Sequence, residues 1–220
     1  MVYLLSVGLL LGLLGTAGLA AGPLADAATR ADGRARGYAD AAILLVEYSD
    51  FTCGFCLKFH RETWPRLQAK YVDTGKVRFL YRDYPRAAHG PGVAAALASR
   101  CAEDQGRFWP MHNVLFASGG RLGASDLRRY AKELALDLAR FSRCMEEPNR
   151  LGEIFAEREE GVQFGFRGTP GFVLIRQRGG GAETGQGGPE TIVIPGAFPY
   201  EVFEQQIERL LGDGPPKGKG

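Results

Sequence analysis

Residues 50–60 read DFTCGFCLKFH, a Cys-x-x-Cys pair at the point where an apolar run gives way to a helical pattern. The preceding residues 42–49, AILLVEYS, are rich in strand formers and predict a buried strand whose one acidic residue is Glu47. A helix should begin after Cys53, because the apolar residues that follow recur at helical spacing. A strand that leads into a Cys-x-x-Cys at the start of a helix is therefore the central feature of the predicted fold.

The rest of the pattern gives the order of the elements. The first helix should run from Cys53 to Tyr71 with a kink at Pro65, and residues 77–85 alternate as a second strand. Helical patterns fill about residues 87–164, and two strands flank the glycine-rich residues 178–188 before a last amphipathic helix. The first two strands should be parallel and the last two antiparallel. We predict an α/β protein with a thioredoxin fold and an all-helical insertion between the β-α-β unit and the C-terminal β-β-α unit.

The composition is that of an ordinary globular protein, with 220 residues, 45% hydrophobic and 24% charged. This length suits one domain, which we assign to residues 42–212 with the insertion inside it. The formal net charge of +2 and the scattered arginines do not indicate nucleic acid binding.

The two ends of the chain differ from its middle. Residues 1–22 carry no charged side chain and could cross a bilayer at ~1.5 Å per residue, so they predict a signal peptide or a membrane anchor. Residues 23–41 lack an apolar period and predict a flexible linker, and residues 213–220 predict a disordered tail. We therefore expect an extracytoplasmic protein, in the periplasm or at the outer face of the cell membrane, either membrane-anchored or secreted.

The position of Cys53 gives its thiol a predicted role. At the start of a helix its sulfur lies beside unpaired backbone N–H groups and the positive end of the helix dipole. Such surroundings lower the pKa of a thiol below about 8.5 and favour the thiolate, which is the species that attacks a disulfide. Cys53 is thus the predicted nucleophile, and Cys56, one turn later, the resolving thiol. The intervening Gly54 and Phe55 carry no charge, so the tuning should come from the dipole and the backbone donors.

Two other interpretations of the cysteine pair remain open. A zinc site would need two further ligands, and the sequence has no second Cys-x-x-Cys, although His60 could supply one ligand. Two buried structural thiols would agree with the preference of cysteine for protein interiors. The attachment motif of c-type haem is absent because Leu57 follows Cys56.

Five motifs distributed along the chain are VEYSDFTCGFCLKFH, LYRDYP, CAEDQGRFWPMHNVLF, GFRGTPGFVL and IPGAFPYEVFEQQI. In this order they resemble the DsbA-like thiol:disulfide oxidoreductases over about residues 43–211. The resemblance implies an exported enzyme that needs no cofactor beyond a redox-active disulfide between Cys53 and Cys56. It implies exported substrate proteins with cysteine pairs and a membrane redox partner that reoxidises the enzyme. It also implies that Thr169 and Pro170 form a cis-proline loop facing the active site.

Three polar residues near the cysteines are further candidates. Glu47 is expected to be buried under the active site and to relay the proton of Cys56, as its family counterpart would; a solvated position at a sheet edge is the alternative. His60 is expected to be a surface residue of the helix, and Asp50 to cap the loop.

Cys101 and Cys144 form a second pair, on two predicted helices of the insertion. An even number of cysteines in an exported chain favours a structural disulfide between them, whereas free buried thiols are the alternative because connectivity cannot be read from a sequence. Four nearby aromatic residues fall at helical spacing and should fill the core of the insertion: Phe108, Trp109, Phe116 and Phe141.

The predicted function is the formation of disulfides in exported proteins by dithiol–disulfide exchange through Cys53 and Cys56. Isomerase or reductase activity on the same fold is the alternative, because Gly54-Phe55 resembles the Gly-Tyr of the disulfide isomerases, as does Thr169 before the proline. The strongest oxidants of the family have Pro-His instead. A non-catalytic peptide-binding module is the alternative from another class.

Overall fold

A five-stranded mixed sheet forms the centre of the computed structural model, which describes residues 33–177 and 190–212. The strands, in chain order, are β1 Ala35–Arg36, β2 Ile43–Ser49, β3 Val77–Asp83, β4 Gly171–Arg176 and β5 Thr191–Ile194. Their spatial order is β1-β3-β2-β4-β5, so β2 is the central strand. As predicted, β2 and β3 are parallel and β4 and β5 are antiparallel.

The first helix, α1, is continuous over residues 54–72 but changes its winding along its length. It consists of α-helical Gly54–Lys58, π-helical Phe59–Thr63, α-helical Trp64–Leu67 and π-helical Gln68–Val72. Pro65 has no N–H to donate to the preceding turn, and that preceding turn is π-helical. The proline expected to kink the helix therefore lies next to a change in helical winding.

Six further helices are present in the described residues: α2 Pro91–Glu103, α3 Phe108–Ala117, α4 Ala124–Glu133, α5 Leu138–Met145, α6 Pro148–Gln163 and α7 Tyr200–Leu211. Helices α2 to α6 follow one another between β3 and β4, which matches the predicted insertion to within a few residues. The element order is the predicted thioredoxin topology with a helical insertion.

The two faces of the sheet pack against different helices. Alternate residues of β2 face opposite sides, and the side that bears Ile43 and Leu45 packs against α1, α7 and the insertion. Glu47 has the same parity and therefore faces α1. The other side bears Tyr48 and packs against the C-terminal part of α6. Gly161 permits this approach, because a Cβ there would lie 2.9 Å from the Tyr48 ring.

Strand β1 corrects part of the predicted linker. The linker was expected to span residues 23–41, but Ala35–Arg36 pairs antiparallel with β3. The neighbouring Arg34 side chain is 9% exposed and forms ion pairs with three carboxylates, those of Asp83, Glu103 and Glu157. A strand of two residues has no visible alternation, so only its pairing partners reveal it.

Several predictions fall outside the described residues. These are the apolar segment 1–22, the first part of the linker, the glycine-rich segment 178–188 and the tail 213–220. Across residues 33–177 and 190–212, none of the helices has both the length and the apolar character needed to span a bilayer.

Candidate active site

Cys53 forms the start of α1 and turns the chain from the loop after β2 into the helix. Its backbone is extended, with φ −87° and ψ 117°, and no side-chain hydrogen bond caps the helix there. Its N–H donates to the Asp50 carbonyl oxygen at 2.9 Å, and its own carbonyl oxygen accepts from the Leu57 N–H at 3.1 Å. The sulfur therefore lies beside the first N–H groups of the helix, which have no partner within it.

The Cys53 thiol is acidic for physical reasons that the geometry makes explicit. A hydrogen bond with the Cys56 side chain has the largest effect and lowers the pKa of Cys53 to about 5, against the opposing effect of burial. Thr169 and the backbone N–H groups of Phe55 and Cys56 lower it further. In its protonated form the thiol lies 3.2 Å from the Thr169 carbonyl oxygen, to which it donates.

Cys56 has the opposite character. Its side chain is completely buried. Burial raises the pKa of the Cys56 thiol, and the hydrogen bond with Cys53 and the negative charge of Glu47 raise it further. Both thiols are free in this structure. The pair thus combines a stabilised thiolate at the helix start with a thiol that stays protonated in the interior.

The loop before β4 approaches Cys53 from the opposite side. The Thr169–Pro170 peptide bond is cis, and Pro170 is buried next to the start of β4. This loop, Phe55 and the segment before α7 line a groove of about 650 Å³. Its apolar rim includes Phe55, which is 66% exposed, and Phe198, which is 42% exposed. The structure therefore brings Cys53 and Cys56 together with Thr169 and Pro170, and the last two also line the groove.

Glu47 lies beneath the cysteines on the central strand, with no exposed surface. Of the two positions left open for it, the structure therefore has the buried one. The prediction for His60 is wrong: its side chain is only 8% exposed and its Nε2 lies 3.1 Å from Glu47 Oε2. Because His60 follows Cys56 by four residues, it lies on the same inward side of α1.

Asp50 joins two loops at the edge of the site. Its Oδ1 accepts from the N–H and the hydroxyl of Thr52, both at 2.7 Å, and its Oδ2 accepts from the Arg86 N–H at 2.9 Å. The expected loop cap is thus present. The same carboxylate also holds the loop after β3 against the loop that carries Cys53.

The second cysteine pair lies away from this site. A disulfide joins Cys101 on α2 to Cys144 on α5, with a Cα–Cα distance of 5.7 Å. Phe108, Phe116 and Phe141 are buried around these helices, and Trp109 packs against the same core. These aromatic residues are core residues, as their spacing predicts, but the core is shared with the sheet: ring centroids lie 5.4 Å apart for Phe108 and Tyr81 and 6.0 Å apart for Trp109 and Phe79. No group of three or more His, Cys, Asp or Glu side chains within residues 33–177 and 190–212 is placed to hold a metal ion.

Sequence reasoning missed two partners of this site, and both had a signal. His60 is four residues after Cys56, a spacing that puts two helical residues on one face. Arg86 follows β3 as Asp50 follows β2, and the carboxyl ends of parallel neighbouring strands meet at one edge of a sheet. The position of Cys56 therefore predicts that His60 faces inward, and the position of Asp50 predicts that Arg86 lies nearby.

These features define a thioredoxin-fold protein with a redox-type Cys-x-x-Cys at the start of its first long helix. A family model described as thioredoxin matches residues 29–181, and the chain belongs to this family. Among solved structures, alpha-DsbA1 of Wolbachia pipientis has a TM-score of 0.67 at 25% identity, covering 82% of this chain and 91% of that one. The resemblance to the DsbA-like oxidoreductases is confirmed, as is the fold.

Two curated relatives are similar to this chain over only part of their own length. The chain is 34% identical over 144 residues to a Na(+)/H(+) antiporter of Salinispora tropica, covering 65% of this chain and 22% of that protein. It is 26% identical over 159 residues to a candidate protein-disulfide oxidoreductase of Rickettsia conorii, covering 68% of this chain and 54% of that protein. The chain thus spans less than two thirds of either relative.

Proposed function

We propose that this protein is a thiol:disulfide oxidoreductase that forms disulfides in exported proteins through Cys53 and Cys56. The observation that carries the proposal is the opposite acidity of the two thiols, since the pKa of Cys53 is lowered to about 5 while that of Cys56 is raised. The stabilised Cys53 thiolate is a good leaving group when the substrate disulfide forms, and the nearby apolar groove could hold an extended substrate peptide. The resemblance to DsbA-type proteins supports the same activity.

The proposed exchange has two steps. A substrate thiolate attacks the Cys53 sulfur of the enzyme disulfide, the bond between the two enzyme sulfurs breaks, and Cys56 leaves as a thiolate and takes up a proton. The second substrate thiolate then attacks the substrate sulfur of the mixed disulfide, which forms the substrate disulfide and releases Cys53 as a thiolate. Two electrons have passed to the enzyme, and a membrane redox partner would remove them.

The proposed compartment rests on two features of the chain. The apolar residues 1–22 would export or anchor the domain. The disulfide between Cys101 and Cys144 is of a kind that persists in oxidising compartments. A membrane-anchored or secreted protein facing the periplasm or the outer surface of the cell agrees with both observations.

The deciding experiment is the reduction potential of the Cys53/Cys56 couple in glutathione buffers. A value of about −120 mV would match a strong oxidant, since each 30 mV corresponds to about 1.4 kcal/mol. A value of about −270 mV would match a thioredoxin-like reductant and would overturn the oxidase assignment. Reductase or isomerase activity is the second candidate, favoured by Gly54-Phe55, which resembles the Gly-Tyr of the disulfide isomerases.

A trapping experiment separates an enzyme from a non-catalytic binding module. Cys56→Ala, mixed with a peptide that contains a disulfide, should accumulate a mixed disulfide: the Cys53 thiolate attacks the peptide disulfide and one peptide thiolate leaves, and the thiol that would resolve the product is missing. The matched variant Cys53→Ala should accumulate none. If neither variant forms a mixed disulfide while peptide binding persists, the protein is a binding module.

A further inference from the structure

The carboxyl group of Glu47 occupies an unusual place in the sheet. It lies on the central strand, between Tyr81 of β3 and Phe172 of β4, and has no exposed surface. Neither of its oxygens accepts a hydrogen bond of ordinary geometry from a described residue. A buried carboxyl without such partners is costly, so its surroundings require an explanation.

His60 provides the nearest polar contact of that carboxyl. Its Nε2 lies 3.1 Å from Glu47 Oε2, and its side chain is nearly but not completely buried. The residue belongs to the π-helical segment Phe59–Thr63, and segments of this kind occur often at functional sites. The imidazole therefore lies between a buried carboxyl and the protein surface.

We propose that His60 is a positioning residue for Glu47: it orients the carboxyl beneath Cys56 and exchanges a proton between that carboxyl and solvent. The inference rests on the proposed disulfide exchange and extends it to a residue on the inner side of α1. Glu47 acts electrostatically on Cys56 across the same interior.

The proposed transfer follows the departure of the Cys56 sulfur. When a thiolate attacks the Cys53 sulfur, the disulfide bond breaks and Cys56 leaves with the electron pair. The Cys56 thiolate takes a proton from the Glu47 carboxyl, which becomes a carboxylate. Solvent then protonates the neutral His60 imidazole, which shares this proton with the Glu47 carboxylate. One proton enters for each Cys56 thiolate that is neutralised.

The other ionisable groups around the pair are poorly suited to this transfer. Besides Cys56, which receives the proton, they are Tyr81 on β3 and His112 on α3; Asp83 and Asp50 act on Tyr81, and Arg36 acts on His112. Burial, and next to it the charge of His60, holds the pKa of His112 well below its ordinary value, so His112 stays neutral. Burial likewise holds the pKa of Tyr81 well above its ordinary value. His60, which retains some exposure, is the remaining route.

The test compares the reduction of the Cys53–Cys56 disulfide by dithiothreitol in the full chain and in variants, by rapid quenching and thiol alkylation across the neutral pH range. His60→Gln should lower the rate at neutral pH by at least about tenfold, since a positioned acid–base group contributes about a hundredfold or more. Added imidazole should restore part of the rate. Because dithiothreitol is common to all measurements, rate ratios cancel its own ionisation.

His112→Gln is the matched control. It removes a second buried imidazole whose ring centroid lies 4.5 Å from that of His60, but it leaves the contact with Glu47 in place. Its rates should keep the pH dependence of the unmodified protein. In a Glu47→Gln background, His60→Gln should cause no further loss, because His60 acts through Glu47.

Three results would overturn the inference. The first is a His60→Gln rate with the same pH dependence as the unmodified protein. The second is a double variant whose loss of rate is the product of the two single losses. The third is a rate of His112→Gln that imidazole raises as much as it raises that of His60→Gln. If His60→Gln does not fold, His60→Asn replaces it. If neither folds, the rate of the unmodified protein is divided by that of a peptide disulfide in both solvents: a ratio that is the same in D2O and H2O contradicts the transfer, and a lower ratio in D2O supports it. If the unmodified disulfide is reduced no faster than a peptide disulfide, the proposed function fails instead.

Discussion

The thiols of Cys53 and Cys56 lie one helical turn apart, yet their environments move their pKa values in opposite directions. Cys53 receives hydrogen bonds from the neighbouring thiol and from the start of α1. Cys56 is enclosed by the core and repelled by the charge of Glu47. A stabilised Cys53 thiolate favours the reduced form over the disulfide, and this makes the disulfide more oxidising. Backbone placement therefore contributes to redox character even with an uncharged dipeptide between the cysteines.

The stability of the reduced protein should depend on pH through Cys53. The pKa of Cys53 is about 5 in the folded state and about 8.5 in an unfolded chain, so the native thiolate stabilises the reduced protein. This contribution is complete above about pH 8.5 and is lost as the pH falls through about 5. Thiolate absorbance should therefore titrate near pH 5.

Two variants make this titration specific. Cys53→Ala should remove the transition. Cys56→Ala should move it to higher pH, because the hydrogen bond from Cys56 has the largest lowering effect on Cys53. A transition near the ordinary thiol value in the unmodified protein would contradict the proposed stabilisation.

Helices α2 and α6 meet β3 through a cluster of buried charges. Glu157 of α6 lies 2.8 Å from both Arg34 Nη1 and Arg100 Nη2, and it accepts from the Asp83 N–H at 2.8 Å. Burial would raise the pKa of Glu157, but the charges of the arginines lower it. The resulting stabilisation is present above about pH 4.3 and is lost as the pH falls through the lower folded value.

Glu157→Gln should therefore destabilise the protein strongly. Removal of one partner from a buried charge cluster costs about 3–5 kcal/mol, because the remaining charges stay buried without compensation. Urea unfolding at neutral pH would measure the loss. Glu133→Gln on α4, which removes a surface ion pair with Arg129, should change the free energy of unfolding little. Equal effects of the two substitutions would contradict the assigned role of the cluster.

The disulfide between α2 and α5 should stabilise the insertion without setting the redox chemistry. It closes a loop with a sequence separation of 43 residues, for which chain entropy predicts about 4 kcal/mol. The double variant Cys101→Ala with Cys144→Ala should lose about that much in guanidinium unfolding. Its Cys53/Cys56 potential should stay the same. If the double variant instead shifted the Cys53/Cys56 reduction potential and kept its free energy of unfolding, the disulfide would tune the redox chemistry and would not stabilise the insertion.

The sequence reveals the long elements and the nucleophile more readily than the buried polar contacts. Strand β2 and helix α1 have strong periodicity, and the Cys-x-x-Cys marks their junction. No sequence pattern marks Arg34, Arg100 and Glu157 as buried, because a charged residue is buried only when distant partners compensate it. The burial of His60 is also hidden in the sequence. It follows only when two observations are combined: His60 lies on the same helix face as Cys56, four residues earlier, and Glu47 lies on the side of the strand that faces this helix.

Three loops meet at the carboxyl end of the central strands and form the site. The loop after β2 carries Cys53, the loop after β3 carries Arg86, and the loop before β4 carries the Thr169–Pro170 bond. The charge cluster, through Arg34, and the pairing of β1 with β3 hold the N-terminal segment at the edge of the same sheet. The folded unit therefore begins before β2, and any boundary placed at residue 38 would cut through it.

A chain that begins at Tyr38 lacks β1 and Arg34, so Asp83 and Glu157 lose one compensating cation. It should unfold at lower urea concentration than a chain that begins at Gly33, by about 3 kcal/mol or more in free energy. Arg34→Met in the longer chain should reproduce most of this loss, which separates the ion pairs from the strand pairing. If both chain lengths unfold at the same midpoint, the N-terminal segment is dispensable for the fold and the domain begins at β2.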